Sequence, residues 1–457
     1  MFLFNHVELF GGVVKFTPII EVILIICVCH FIYDWRKDYR STGWKLNVWH
    51  LGIMMSFGIP YFIIYPFCSS PFNFISVGTD YLKIEDYVDK ACLITLLGYL
   101  AFLFGGWIAK YKKYDFDKYR FFEKIIYTNI TKGFGLYVFT IFIVAFFGVA
   151  AVMSIQSGML FNARRVFLLN PSIRMVGNFF ASITPIIMTF YLVRYFDKSI
   201  IKKKKLDLIL IFCVSVLCVF WGSRALLFGI ALKAFLYYVY LNQNISFKSI
   251  FISGFVAILG VMSLAVLRSG AIDVFTSNNI EIIFSALFGG IVYGNTFSDC
   301  RDFAWMLSGF DGNYLFGSTY ISGFTSFLPS YFFPFRREFA MGVISLDLAG
   351  LDNVTGEHPG LRGAPFFEIF FNFSYLGVVI WGIVLGFITR YSDLAMRYSV
   401  NNNSNVTVGY IKSIYPMLIG GLGITAGMFS LYVFLGAVFL LIWINVAWSA
   451  FFKRKLY

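Results

Sequence analysis

Apolar residues in this chain collect in unbroken runs of about 20, the length a helix needs to cross a bilayer, with polar residues gathered between the runs. The runs lie at 16–34, 46–68, 91–109, 134–153, 176–196, 207–221, 225–241, 250–267, 366–389, 411–427 and 430–451. Ten-residue strands of alternating polarity are absent, so the pattern predicts spanning helices rather than a membrane barrel. The expected fold is an all-α polytopic membrane protein with about eleven transmembrane helices. Residues 1–267 would hold the first eight and 366–457 the last three, with 268–365 as one large loop between them. The stretch 281–298 is apolar enough to dip into the bilayer, and the final apolar run divides at its glycines.

Composition excludes the soluble classes. Hydrophobic residues make up 59% of the 457 and charged residues 13%, against roughly 45–50% and 25% in soluble domains. Mean hydropathy is +0.76. The opening MFLFNHVELFGG carries neither a basic stretch nor a small-residue cleavage site, so no cleaved signal is expected and the first spanning helix would serve for targeting. The 7 Cys lie mostly inside apolar runs, without Cys-x-x-Cys or a His at ligand spacing. They read as small core residues rather than disulfide or metal ligands. A net charge of +13 would suggest nucleic acid in a soluble protein; here cytoplasmic loop charge and anionic lipid account for it.

Charge placement sets the orientation. The short loop 110–132 carries Lys110, Lys112, Lys113, Lys118, Arg120, Lys124 and Lys132, and a second carries Lys198 and Lys202 to Lys205. Positive charge in short loops marks the cytoplasmic side. Alternation then places the N-terminus and 268–365 outside and the C-terminus inside. On that topology 24 basic residues are cytoplasmic and only 7 of them are Arg; of the 12 external ones, 9 are Arg. These are Arg164, Arg165, Arg174, Arg224, Arg268, Arg301, Arg336, Arg337 and Arg362. A guanidinium fork binds phosphate through two parallel N–H groups, keeps its charge and tolerates partial burial. The isolated external arginines therefore read as phosphate ligands. Snorkelling at helix ends explains some of them, and lipid headgroups are the alternative for Arg164-Arg165 and Arg336-Arg337.

Nearly a hundred residues between two spans is too long for a plain connection. The loop is rich in aromatics, among them Trp305, Tyr320, Phe327, Tyr331, Phe332 and Phe333, and is expected to fold as a cap of short amphipathic helices on the outer leaflet. Arg301 and Asp302 fall on one such helix with Trp305. His358 is the only His in the loop, in His358-Pro-Gly-Leu-Arg362-Gly just before the ninth run. An imidazole at this Gly/Pro-rich approach is placed to meet a substrate hydroxyl. Glu368, one turn into the run, either orients that imidazole or caps the helix N-terminus against its dipole.

The order of these features resembles a known family. A Gly222-Ser223-Arg224 turn comes first, then an Arg-containing external stretch, then Gly317-Ser-Thr-Tyr320. A Leu328-Pro...Pro334-x-Arg336 segment follows, and Glu368-x-x-x-Asn372-Phe373 with Leu376-Gly377 closes the series. Over roughly residues 150–390 this resembles the O-antigen and capsular oligosaccharide repeat-unit polymerases of the Wzy type. The enterobacterial common antigen branch also carries a His-x-Gly-Leu segment where His358-Pro-Gly-Leu361 stands. The resemblance implies a metal-independent, inverting, membrane-embedded C-type glycosyltransferase of the bacterial inner membrane, acting on its periplasmic face. The donor would be a growing glycan on undecaprenyl diphosphate, and the acceptor a lipid-linked repeat unit whose hydroxyl attacks the donor's reducing-end carbon. Arg165, Arg224, Arg268, Arg301 and Arg362 would bind the diphosphate. His358 would be the general base or the group that orients the acceptor, with Glu368 beside it. Chain length in such systems depends on a separate co-polymerase.

The residues fit that chemistry in their own right. A diphosphate leaving group needs its developing charge stabilised, and fixed guanidinium groups supply this without a metal. The external loops hold no Asp-x-Asp, so no metal and no cofactor is expected. Two alternatives stand beside the polymerase. An O-antigen ligase shares the donor, although His358 is not followed by the Asn of the ligase pattern. A transporter or flippase of the lipid-linked unit would place charges along the midplane and show matched internal repeats, and no such repeat is evident.

Overall fold

A computed structural model describes residues 17–65, 81–116, 121–132, 134–158, 163–169, 171–197, 204–222, 224–242, 245–268, 298–328, 331–351, 361, 363, 365–403 and 406–453. The architecture is helical, with no strand among the described residues. In chain order the helices are α1 (Thr17–Thr42), α2 (Val48–Ile53), α3 (Tyr81–Tyr111), α4 (Phe121–Lys132), α5 (Phe134–Gln156), α6 (Ala163–Leu169), α7 (Pro171–Phe196) and α8 (Lys204–Trp221). They continue as α9 (Arg224–Leu241), α10 (Phe247–Arg268), α11 (Asp299–Ser308), α12 (Ser318–Phe324), α13 (Met341–Leu348), α14 (Phe367–Asn403), α15 (Val406–Gly421) and α16 (Thr425–Lys453). Among the described residues, six helical segments are long and apolar enough to cross a membrane: Thr17–Thr42, Asp86–Tyr111, Phe134–Gln156, Val176–Phe196, Phe367–Asn401 and Gly427–Ala450. The chain is a helical, membrane-embedded protein.

Each apolar run falls on helix over its described part, but the helices outrun the hydropathy. α3 starts well before its apolar run, because Asp89 on the added turns is fastened from two sides. The Tyr65 hydroxyl donates to it at 2.5 Å and the Thr17 hydroxyl at 3.2 Å. α14 runs several turns beyond its apolar part, through Arg390, Asp393 and Arg397. The second run winds differently from expectation. After α2, whose first turn is capped by Asn47 accepting from the His50 amide at 2.8 Å, Met54–Ile63 forms π-helical turns around Pro60. Proline lacks the N–H an α-turn would use, and the wider winding absorbs the loss. The last apolar run divides as expected, α15 ending at Gly421 and α16 beginning at Thr425.

Among the described residues, two apolar clusters form the interior. One joins α1, α2, the π-helical segment, α3, α11 and the first half of α14. The other joins α4 to α9 with α15, α16 and the last turns of α14. α14 serves both, and its closest partner is α3. A Cβ on Gly105 would lie 2.0 Å from the Ile383 carbonyl oxygen, and one on Gly386 1.9 Å from that of Phe102. Only glycine allows the two backbones to approach this closely, the small-residue packing on which helices in lipid rely.

Candidate functional site

α14 breaks soon after it begins. Phe373 (φ −132°, ψ 15°) and Ser374 (φ 59°, ψ −160°) leave helical geometry and separate a short helical piece, 367–372, from the long remainder. A break frees carbonyls and amides that must find other partners. The Phe371 carbonyl finds one in the turn before α12. The Leu315 amide donates to the Phe371 carbonyl at 2.9 Å, and the Ser374 hydroxyl donates to Tyr314 Oη at 2.9 Å. Phe316 (φ 45°) and Ser374 are the two non-glycine residues with positive φ among those described. Both belong to this joint, and such strain persists only where the surroundings over-determine it.

Asn372 is the pin. Its Oδ1 accepts the Gly317 amide at 2.9 Å, while its Nδ2 donates to Thr319 Oγ1 at 2.9 Å and to the Glu368 carbonyl at 2.8 Å. The side chain is fully buried. Gly317 sits at φ 87°, a conformation that favours glycine, and faces the Phe373 ring. That ring stacks on Tyr320 at 5.8 Å between centroids, 20° from parallel. Tyr320 in turn donates its hydroxyl to the Gly423 carbonyl, 2.8 Å away. Burial and the nearby Glu368 charge hold this phenol above its ordinary range, so it stays a donor.

Glu368 joins a third segment. Its Oε2 accepts the Thr425 amide at 2.9 Å and the Thr425 hydroxyl at 3.3 Å. The carboxylate thus caps the N-terminus of α16, where an unsatisfied N–H and the positive end of the helix dipole favour an anion. The sequence offered a cap for α14 itself; the structure puts the carboxylate on a different helix 57 residues away. Glu368 is buried, and Oε1 has no hydrogen-bond partner although the Thr319 hydroxyl adjoins the carboxylate.

The remaining expected site residues are spread more widely. Arg301 is 2% exposed on α11, which is buried from Cys300 to Leu307 instead of lying on a surface. Its Nε and Nη2 donate to Asp302 Oδ1 at 3.0 and 2.9 Å, and Ser298 holds the other carboxylate oxygen at 2.7 Å. Arg165 is exposed on α6, a short helix where the sequence placed one, and α6 packs within the other apolar cluster. The structure does not bring these two arginines into one apolar cluster. Arg224 opens α9 and Arg268 closes α10, but their side chains are not among those described. His358 and Arg362 lie outside the described residues. Of the loop aromatics, Tyr331 and Phe332 are exposed and Trp305 is buried against α3 and its neighbours.

Arg336 illustrates how loop arginines are used. Its Nη1 donates to the carbonyls of Ser326 and Leu328, and its own carbonyl accepts the Ser322 hydroxyl at 2.7 Å. This holds the Pro334–Arg337 turn against α12 and the turn that follows it. Among the described residues, no group of three or more His, Cys, Asp or Glu side chains is arranged to hold a metal ion. Thr319, a member of the Gly317-Ser-Thr-Tyr320 stretch, and Thr425 complete the joint; Thr425 carries no sequence signal, since nothing local distinguishes a hydroxyl that will meet a carboxylate from a distant part of the chain. No protein-family model matches the chain, and no curated protein and no solved structure matches it.

Proposed function

We propose that this chain is an oligosaccharide repeat-unit polymerase, elongating a glycan carried on undecaprenyl diphosphate by metal-independent, inverting glycosyl transfer. The observation that carries this reading is the convergence of Gly317, Thr319 and Tyr320 with Glu368, Asn372 and Phe373. These belong to the short stretches on which the family resemblance rests, the two stretches lie far apart in sequence, and they form one joint at one end of α14. The joint lies beside the His358 segment in sequence, and the strained backbone of Phe316 and Ser374 is the kind that marks functional sites.

In this reading eleven spans place the N-terminus and the 268–365 cap in the periplasm, and the joint supports a site that opens there. His358 takes the proton of the acceptor hydroxyl or orients that hydroxyl, with the Glu368 carboxylate behind it. The acceptor oxygen forms a bond to the donor's reducing-end carbon as the bond from that carbon to the diphosphate breaks. Arg165, Arg224, Arg268, Arg301 and Arg362 neutralise the departing charge. Arg301 is held by Asp302, so it reaches a diphosphate only by exchanging that carboxylate for phosphate oxygens. The break supports an enzyme over a carrier, because it lies within the first two turns of α14, whereas transporter helices break near the midplane.

The test is incubation of purified protein with the lipid-linked repeat unit in detergent and chelator. A ladder of products spaced by one repeat unit is expected. A single transfer that needs a lipid A core acceptor would make the chain a ligase, and movement of intact lipid across proteoliposomes without elongation would make it a transporter.

A further inference from the structure

The break in α14 brings two stretches of chain side by side, and both turn aromatic rings outward. The Leu315 and Gly317 amides donate to the Phe371 carbonyl and to Asn372 Oδ1, each at 2.9 Å, and the Ser374 hydroxyl reaches Tyr314 Oη. Tyr314 and Tyr375 both meet the buried Phe370 ring edge to face, at 6.0 and 5.2 Å between centroids. Residues 311–317 therefore run directly beside 371–375. Along this seam Phe316 is 83% exposed, Tyr375 46% and Phe373 45%.

Backbone strain is spent on that exposure. Phe316 and Ser374 hold φ at 45° and 59°, a costly region for a residue with a Cβ. Burial of the Phe316 ring does not offset the cost, because the ring stays open. Residues two apart on a regular helix point about 200° from each other, so one of Phe373 and Tyr375 would turn inward. The break at Ser374 leaves both exposed.

The neighbouring turn is polar. Asp311, Gly312 and Asn313 are exposed, and Asp311 accepts the Asn313 amide at 3.0 Å and its Nδ2 at 2.6 Å. This fixes a carboxylate beside a carboxamide, with lone pairs on both and one Asn313 N–H to spare. A carboxylate is driven out of hydrocarbon, so this turn faces water. Leu376 and Ile380, exposed farther along α14, are aliphatic and suit lipid. A lipid tail would match the rings but not Asp311, and Asp311 would repel a phosphate. A pyranose matches both. Its C–H face lies against the electron-rich face of an aromatic ring, while its hydroxyls leave from the edge toward acceptors and donors such as Asp311 and Asn313.

We propose that this seam is a sugar-binding platform, on which a pyranose of the lipid-linked repeat unit lies against Phe316 and Tyr375 with its hydroxyls on Asp311 and Asn313. The identity of the glycan rests on the polymerase reading. The platform adds to that reading a subsite separate from the reacting end, which belongs to His358 and Glu368.

The test uses the full chain in detergent and, as probe, the repeat-unit oligosaccharide freed from its lipid by mild acid. Without the diphosphate it cannot serve as a donor, so binding is read apart from turnover. Saturation-transfer NMR is expected to show the sugar C–H protons contacting the wild type, with affinity at least about tenfold weaker in Phe316→Gly and in Tyr375→Leu. Phe316→Gly removes the ring and relieves the positive φ, so its thermal midpoint should hold or rise. Tyr375→Leu keeps apolar bulk and loses the flat face. No binding to the wild type, or undiminished binding in both variants, would overturn the platform. Undiminished binding in Tyr375→Leu alone would also overturn it, since a sugar stacked on that ring needs its flat face. Elongation of the intact lipid-linked unit is read alongside. A wild type that makes the ladder but does not bind the free glycan loses the platform and keeps the polymerase; one that binds the glycan and makes no ladder keeps the platform and loses the polymerase.

Discussion

Glu368 and Asn372 lie one helical turn apart and fasten α14 to different neighbours. Asn372 holds the turn before α12 through the Gly317 amide and Thr319, while Glu368 holds the start of α16 through Thr425. Substituting Asn372 by Ala strips three hydrogen bonds from a buried site and leaves the Gly317 amide without its acceptor. The expected cost is about 1–3 kcal/mol, read as a lower thermal midpoint in detergent. Glu368→Gln separates two roles. An amide oxygen still accepts the Thr425 N–H, so stability should fall little, whereas the charge proposed to support His358 is lost and, on that proposal, glycosyl transfer should drop at least about 100-fold. Glu368→Ala should lose both. Full activity in Glu368→Gln would reduce this carboxylate to a helix cap.

At the scale of elements, the behaviour of α14 follows from its contacts with α3 and from its break. Gly105 and Gly386 lie where backbone meets backbone, so a Cβ at either must push the helices apart. Gly386→Ala is expected to cost about 1–3 kcal/mol, and Gly386→Leu to abolish the folded protein, read as loss of the monodisperse peak in size-exclusion chromatography. A Gly386→Leu protein of wild-type stability would mean the helices do not meet as described.

The positions of the helices were legible in the sequence because an apolar run of about 20 residues has few other readings. Their ends were not. Arg390, Asp393 and Arg397 depress hydropathy, yet their spacing of three and four sets them on one helical face, a signal that loop counting passes over. Their partner Asp38 is 359 residues away from Arg397, beyond any local pattern. Gly317, Thr319, Glu368 and Asn372 were visible as motif residues, but Thr425 was not, because a threonine bonded at long range looks like any other. Arg301 was read for its guanidinium, and its neighbour Asp302 proved to be where that guanidinium is held.

Among the described residues, two apolar clusters meet along α14, with one polar centre toward each end of that helix, Glu368 and Asn372 at one and Arg397 with Asp38 at the other. If α14 spans the membrane as proposed, those ends face opposite sides of it. Asp311 and Lys124 are both exposed, and in a chain freed of its own cysteines each can be replaced by Cys. Asp311→Cys is expected to react with a membrane-impermeant thiol reagent added to cells with a permeable outer envelope, and Lys124→Cys only after lysis. Labelling of both under the same condition would contradict the proposed topology.

The proposed function stands on the joint built on Glu368 and Asn372 supporting elongation of a lipid-linked glycan. Product length decides it, compared between purified wild-type protein and His358→Ala at equal thermal stability, each supplied with the lipid-linked repeat unit under chelator. A repeat-unit ladder is expected from the wild type and none from His358→Ala. An undiminished ladder from His358→Ala, or no ladder from a folded wild-type protein given its lipid-linked unit, would contradict that function.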